Sequence, residues 1–162
     1  MATTIEAYPL ERRKILKKTV AFTVYLWIFF FVVPFWLQVF FWTEGGPLVF
    51  IPIDLFFVIM PFVWWVYQRE YYKRYFYDVR NDFLAIKKGV ITPNETVLPY
   101  DKLQDVYVDQ DVFDRIFKLY DVHVSTATYM SGVQAHIDGV NQQNSQIIRE
   151  LILDQIRKFH KA

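Results

Sequence analysis

The chain has 162 residues, of which 54% are hydrophobic and 20% aromatic, and its 18 Lys and Arg residues nearly balance 17 Asp and Glu residues. It has no cysteine, which excludes disulfide bonds, thiolate catalysis and cysteine metal sites. Acidic residues outnumber basic residues over residues 75–162, so this part lacks the broad basic surface that nucleic-acid binding requires.

Two long apolar segments, residues 19–42 and 48–67, are separated by a short polar turn over residues 43–47. A helix needs about 20 predominantly apolar residues to cross a bilayer, and each segment has that length. The pattern therefore predicts a membrane hairpin of two transmembrane helices. The expected organisation is a basic N-terminal segment (1–18), the hairpin (19–67), a juxtamembrane connector (68–74) and one small domain (75–162).

Basic residues lie at both outer ends of the predicted hairpin, whereas the turn between its helices has none. The positive-inside rule then places both termini in the cytoplasm and predicts a multi-pass protein of the cell membrane. The same cations, with two lysines of the following domain, are candidates for binding anionic lipid headgroups, although orientation of the hairpin and protection of an edge strand are the preferred explanations. The candidates are Arg12, Arg13, Lys14, Lys17, Lys18, Arg69, Lys73, Arg74, Lys87 and Lys88.

Asp54 is the only acidic residue within either apolar segment, and an ionisable group at such a depth is a functional candidate. It lies about two helical turns from the glycine-containing turn, and the segments contain no Lys, Arg or His to pair with it. A structural role is therefore the simpler interpretation. Pro34, Pro52 and Pro61 predict kinks in the two helices.

Beyond the apolar segments, the sequence alternates between apolar and polar positions, which is the pattern of β-strands. Turn signals at Asn81-Asp82 and over residues 92–95 separate the first strands. Apolar residues at helical spacing over residues 148–159 predict a closing amphipathic helix, with Asn141 or Asn144 as its N-cap. The predicted strands are 75–80, 83–91, 96–99, 103–109, 120–126 and 135–138, with a short helix over 112–119.

Metal binding and catalysis have little support in the residue pattern. Five acidic residues lack the spacing of a calcium loop, so a solvated sheet face is the preferred interpretation. His123, His136 and His160 lack zinc-ligand spacing, although His123 and His136 are expected to be neighbours on a polar face. Without a nucleophile elbow or a phosphate-binding glycine loop, we predict no enzyme activity, no cofactor and no metal site. The five acidic residues are Asp101, Asp105, Asp109, Asp111 and Asp114.

Four short motifs within residues 77–152 follow one another in an informative order. They are Lys87-Lys88-Gly89-Val90-Ile91, Leu98-Pro99-Tyr100-Asp101-Lys102-Leu103-Gln104-Asp105-Val106, Phe113-Asp114-Arg115-Ile116-Phe117 and Val122-His123-Val124-Ser125-Thr126-Ala127. In this order they resemble the bacterial pleckstrin-homology (PH) domain of membrane-flanked proteins, a family that includes small proteins with two N-terminal spans. Lys118 and Tyr120 depart from the family pattern, which commonly has small residues such as glycine at these positions.

The resemblance implies a barrel-like cytoplasmic domain at the membrane surface and supplies no catalytic residues. The expected fold is a membrane α-helical hairpin followed by an α+β, mainly-β PH-like domain. In that domain, a bent antiparallel sheet or partly open barrel is capped by the C-terminal helix.

The expected function is that of a non-enzymatic integral-membrane interaction or scaffold protein. Its expected partners are membrane lipids, other membrane proteins or copies of itself, and not nucleic acid. Two alternatives stay open: an anionic-lipid-binding module, and an accessory subunit of a membrane transporter or enzyme that uses Asp54.

Overall fold

The computed structural model describes residues 3–32, 35–36, 39, 51–126 and 135–161. Pro34, the turn over residues 43–47 and Ala127 lie outside these residues. The helices are α1 (Thr4–Ala7), α2 (Arg13–Val32), α3 (Ile51–Arg74), α4 (Val112–Phe117) and α5 (Gln142–Lys161), with a 3₁₀ turn over Tyr100–Lys102. The strands are β1 (Phe76–Val79), β2 (Phe83–Lys88), β3 (Asn94–Pro99), β4 (Leu103–Asp109), β5 (Tyr120–Thr126) and β6 (His136–Val140).

The chain divides into two compact units. The helical unit contains residues 15–69, which include most of α2 and the larger part of α3. The β unit combines residues up to Lys14 with residues 70–162, and it contains all six strands together with α1, α4 and α5.

The predicted membrane hairpin is wrong. Among the helices in the described part of the chain, none combines the length and the apolar character that crossing a membrane requires. Charged residues belong to the helices themselves, since α2 begins with Arg13 and Lys14 and α3 contains Asp54 and Arg69. The uncharged stretch described in each helix is shorter than the about 20 residues that a crossing needs. This finding also removes the predicted multi-pass membrane localisation.

The strands form two antiparallel sheets of three strands, in the orders β1-β2-β3 and β4-β5-β6. The predicted order of strands and helices in residues 75–161 is confirmed. The pairing is different from the expected single bent sheet or partly open barrel. β2 ends at Lys88 because Gly89 adopts a φ of 116° and its α-carbon approaches the Thr92 carbonyl, so that a β-carbon would lie 2.3 Å from that oxygen.

The core of the β unit lies between these sheets and α5. Alternation along the strands buries Val106, Val122 and Ile137, which period-2 geometry directs to one face of the second sheet. Ile148 and Ile152 are one helical turn apart on α5 and are fully buried in the same cluster. The predicted amphipathic helix is therefore confirmed.

Both helices of the second half begin with a side-chain cap. Asn141 accepts a hydrogen bond from the Asn144 N–H at 2.8 Å, which confirms it as the N-cap of α5. At α4, Asp111 accepts from the Asp114 N–H at 2.7 Å, and Asp114 in turn accepts from the Asp111 N–H at 3.2 Å. Two of the five predicted acidic residues thus form a capping box.

The N-terminal residues are an integral part of the β unit. The Thr4 N–H donates to Asp78 at 2.9 Å, and the Glu11 N–H donates to the Gly139 carbonyl at 2.8 Å. Burial raises the pKa of Asp78, but hydrogen bonds from Thr4 and Arg80 outweigh burial and lower it overall. These contacts attach the start of the chain to β1 and β6.

Candidate functional site

Three aromatic rings form a continuous stack across the polar face of the second sheet. The ring centroids of Tyr107 and His123 are 5.0 Å apart, and those of His123 and His136 are 5.3 Å apart, with interplanar angles of 7° and 15°. The stack exists because Tyr107 pairs with His123 and His123 pairs with His136 in the strand register. We call these three residues the ring ladder, and they confirm that the two histidines are neighbours.

Each histidine of the ring ladder has its own carboxylate. His123 Nε2 lies 3.0 Å from Asp109 Oδ1, and His136 Nε2 lies 2.5 Å from Asp138 Oδ1. Lys88 Nζ lies 3.5 Å from His136 Nδ1. Such carboxylates fix the orientation of an imidazole ring. Within the described residues, no three His, Cys, Asp or Glu side chains are grouped closely enough to hold a metal ion.

A buried ion pair adjoins the ring ladder at His136. Lys14 Nζ is 2.8 Å from Asp138 Oδ2, and the two side chains are only 4% and 7% exposed. The same ammonium donates to the Asp138 carbonyl at 3.1 Å and lies 4.3 Å from the centroid of the Tyr75 ring. These contacts compensate for the cost of removing both charges from water. Lys14, predicted as a lipid-binding candidate, is thus part of the interior of the β unit.

Buried tyrosines donate to backbone carbonyls around this interior. The Tyr75 hydroxyl donates to His136 at 2.7 Å, the Tyr100 hydroxyl donates to Arg80 at 2.6 Å, and the Tyr77 hydroxyl donates to Tyr8. Burial raises the pKa of all three phenols, because a phenolate would lose its hydration. Each hydroxyl therefore remains a donor at neutral pH.

The helical unit exposes a different kind of surface. Within it, the Phe22 and Trp64 rings stack with centroids 4.6 Å apart, and Trp64 Nε1 donates to the Lys18 carbonyl at 3.2 Å. Large apolar side chains nevertheless remain exposed along both helices, with Val58 at 66% and Phe62 at 65%. We call this set the apolar helix surface. It comprises Val24, Trp27, Ile28, Phe29, Leu55, Phe56, Val58, Ile59, Phe62, Val63 and Val66.

The predicted lipid-binding residues of the β unit have separate local environments. Lys73 pairs with Glu70 at 2.6 Å, Arg74 donates to the Val90 carbonyl at 2.8 Å, and Lys87 lies 3.8 Å from Glu95. Arg12 and Arg13 are exposed at the start of α2.

The predicted candidates of the helical unit are equally separate. Arg69 lies over the Trp65 ring at 5.8 Å from the centroid, and Lys17 is buried, whereas Lys18 is half-buried. Asp54 is exposed in the first turn of α3, where a carboxylate is favoured by the helix dipole. The expected accessory role of Asp54 in a membrane transporter or enzyme assumed the membrane hairpin, which is wrong.

Sequence reasoning missed the Lys14–Asp138 pair. The two residues are 124 positions apart in sequence, and no local pattern marks a charge that pairs over such a distance. His136 and Asp138 are two positions apart on β6, so strand geometry alone places them on one face, where Nε2 and Oδ1 meet.

Comparison with known protein families gives a match over most of the chain. The sequence model of a protein family described as Bacterial PH domain matches residues 16–156, which is well over half of the chain. Neither the curated proteins nor the solved structures include a match to it.

Proposed function

Because the chain belongs to the bacterial PH domain family, we propose that it is a non-catalytic interaction module that associates with a second copy of itself through the apolar helix surface. The observation that carries this proposal is the exposure of large apolar side chains on both α2 and α3. Contiguous apolar patches of more than a few hundred Å² are rare on monomeric proteins and mark sites of association. Members of this family act as binding modules, which agrees with such a role.

The distribution of these side chains supports burial rather than ordinary surface exposure. A helix that is apolar on all sides belongs inside a larger hydrophobic environment. Covering apolar area contributes about 25 cal/mol per Å², so several large side chains together supply a substantial driving force for association. The helical unit is therefore expected to be covered in the working protein.

A second copy is the partner that the chain itself supplies. From Thr19 to Val32, α2 has no charged residue, and α3 has none from Leu55 to Gln68. Two such surfaces meet without burying an unpaired charge, which would be costly. Pairing through the same surface on both copies also gives a closed dimer, the commonest form of association.

Co-purification of two differently tagged copies tests this proposal. We expect the two tagged copies to form mixed dimers, and Val58→Glu or Phe62→Glu to reduce recovery of the second copy at least tenfold, since a buried charge opposes association. Ile91→Glu is the matched control, because Ile91 is apolar and 86% exposed but belongs to the β unit. It should leave recovery unchanged.

Chemical crosslinking in intact cells provides the decisive negative result. Recovery of only monomers under several crosslinking chemistries would overturn the proposal. Quenching of the tryptophan fluorescence of a monomer by brominated phospholipid would also overturn it. All five Trp residues precede Glu70, so such quenching would mean that lipid covers the helices.

Anionic-lipid binding by the β unit is a second candidate, favoured by the exposure of Arg12, Lys73, Arg74 and Lys87. Each cation near a negative leaflet contributes about 1 kcal/mol. Binding to vesicles that contain phosphatidylglycerol should then weaken strongly as salt rises, because salt screens exposed charges. Binding that is absent or insensitive to salt would reject this candidate.

A further inference from the structure

A basic cavity of about 540 Å³ opens on the β unit, away from the residues of the ring ladder. Its walls come from three parts of the chain: the N-terminal segment, the turn through α4, and the start of α5. This volume lies within the range of pockets that hold small organic ligands. The lining is mostly polar and charged, so the cavity is suited to a polar ligand.

Three cations line the cavity, namely Arg13, Arg115 and Lys118, against the single carboxylate of Glu11. The ion pairs of the described residues include none of these cations. Glu11 accepts a hydrogen bond from the Asn141 amide at 3.2 Å, which uses part of its capacity within the protein. The cavity consequently holds an excess of positive charge.

Lys118 occupies a backbone position that disfavours it. Its φ of 55° and ψ of 45° are left-handed, a conformation that costs an ordinary residue about 1 kcal/mol relative to glycine. The Lys118 N–H donates back to the Arg115 and Asp114 carbonyls, so the conformation ends α4. A lysine here places a cation in the cavity at the expense of local stability, which is typical of a functional position.

The N-terminus of α5 adds the positive end of a helix dipole to the cavity, which favours an anion. Gln142 is the first residue of this 20-residue helix and lines the cavity, and the first turn of the helix contains no acidic residue. Its positive end therefore acts together with the three cations. The Gln110 side chain, held by a 2.7 Å bond to the Leu119 carbonyl, fixes the opposite wall.

We propose that this cavity binds the phosphate monoester of a small organic molecule. Two guanidinium groups and one ammonium match a dianion with several acceptor oxygens, and arginine offers paired donors to such a group. The remaining cavity volume and the polar Asn141 and Gln142 side chains accommodate the organic part. This site is independent of the apolar helix surface.

Calorimetric titration of the full chain with phenyl phosphate, and with phenol as the uncharged control, tests the proposal. We expect phenyl phosphate to bind, phenol not to bind, and affinity to fall as salt rises. Arg115→Gln should weaken binding about tenfold to hundredfold, because it removes charge-assisted hydrogen bonds. Lys158→Gln is the matched control, since Lys158 is exposed on α5 and is absent from the cavity lining.

Lys118→Gly separates binding from folding. Glycine relieves the left-handed strain, so this variant should unfold at a higher temperature than the unaltered chain while binding phenyl phosphate at least tenfold more weakly. Equal weakening by Lys158→Gln, or equal heat from phenol, would overturn the proposal. Binding confined to vesicles that contain phosphatidic acid would also overturn it, since the phosphate source would then be a lipid headgroup.

Discussion

The two units of this protein differ in the groups that they bury and expose. The β unit buries charged and polar groups with partners, as in the Lys14–Asp138 pair and the tyrosine hydroxyls that donate to carbonyls. The helical unit leaves large apolar side chains such as Val58 and Phe62 exposed. Buried polar groups that have partners indicate a unit that is stable by itself. Exposed apolar area indicates a unit that is stabilised by association with a partner.

The largest expected difference between the units appears at alkaline pH. The raised pKa values of Tyr75, Tyr77 and Tyr100 mean that their stabilising effect is complete below the unfolded pKa of about 10 and is lost as pH rises through the folded values. We expect the free energy of unfolding of the β unit to be constant from about pH 8 to pH 10 and to fall above it.

Urea unfolding followed by circular dichroism at several pH values checks this, with Tyr100→Phe as the companion variant. That variant should depend less steeply on pH, because one titrating group has been removed. If the urea midpoint of the strand signal stayed the same up to about pH 12, the stabilising effect of the buried phenols would be contradicted.

Breaking the buried ion pair is the next largest perturbation. Lys14→Met leaves Asp138 without its ammonium partner and should lower the free energy of unfolding of the β unit by about 3–5 kcal/mol. Lys73→Met removes an exposed lysine that pairs with Glu70 and should cost less than about 1 kcal/mol. Equal losses in urea denaturation would show that burial of the pair has no energetic consequence.

A smaller loss is expected from Gly139→Ala. Gly139 has a φ of 72°, and a β-carbon there would lie 2.7 Å from Lys14 Cδ, a side chain that its ion pair holds in place. The left-handed strain and the close contact together should cost about 1–3 kcal/mol. The urea midpoint measures this loss, and an unchanged midpoint would mean that Lys14 moves aside freely.

The smallest effect on folding should come from the helical unit. Val58→Glu and Phe62→Glu alter exposed side chains, so each should change the free energy of unfolding of the β unit by less than about 0.5 kcal/mol. Tryptophan fluorescence reports the helical unit alone, since all five Trp residues lie before Glu70. A large loss of strand signal in either variant would contradict this expectation and show that folding of the β unit depends on the helical unit.

The sequence predicts local structure well here because local structure depends on periodicity and caps. Alternation identified the strands, helical spacing identified α5, and the side chain of Asn141 marked its first turn. The neighbouring positions of His123 and His136 also followed from adjacent strands. Each of these features is determined by residues close together in sequence.

Features that join distant segments could not be predicted in this way. The Lys14–Asp138 pair and the basic cavity depend on how the N-terminal residues pack against β6 and α5. The periodicity of the sequence contains no information about this packing. The membrane hairpin was predicted from hydropathy over residues 19–42 and 48–67. In the described helices the charge-free stretches are shorter than these segments, residues 19–32 of α2 and 55–68 of α3, and neither helix has the length and apolar character that a crossing requires.

The attachment of Leu10 and Lys14 to strands at the far end of the chain also has a consequence for biosynthesis. Leu10 is buried with the core, and the Glu11 N–H donates to Gly139, so these early residues emerge from the ribosome long before their partners exist. The β unit reaches its native state only after β6 has been translated. Until then, these residues have no folded partner, so they remain unfolded and accessible to proteases and chaperones.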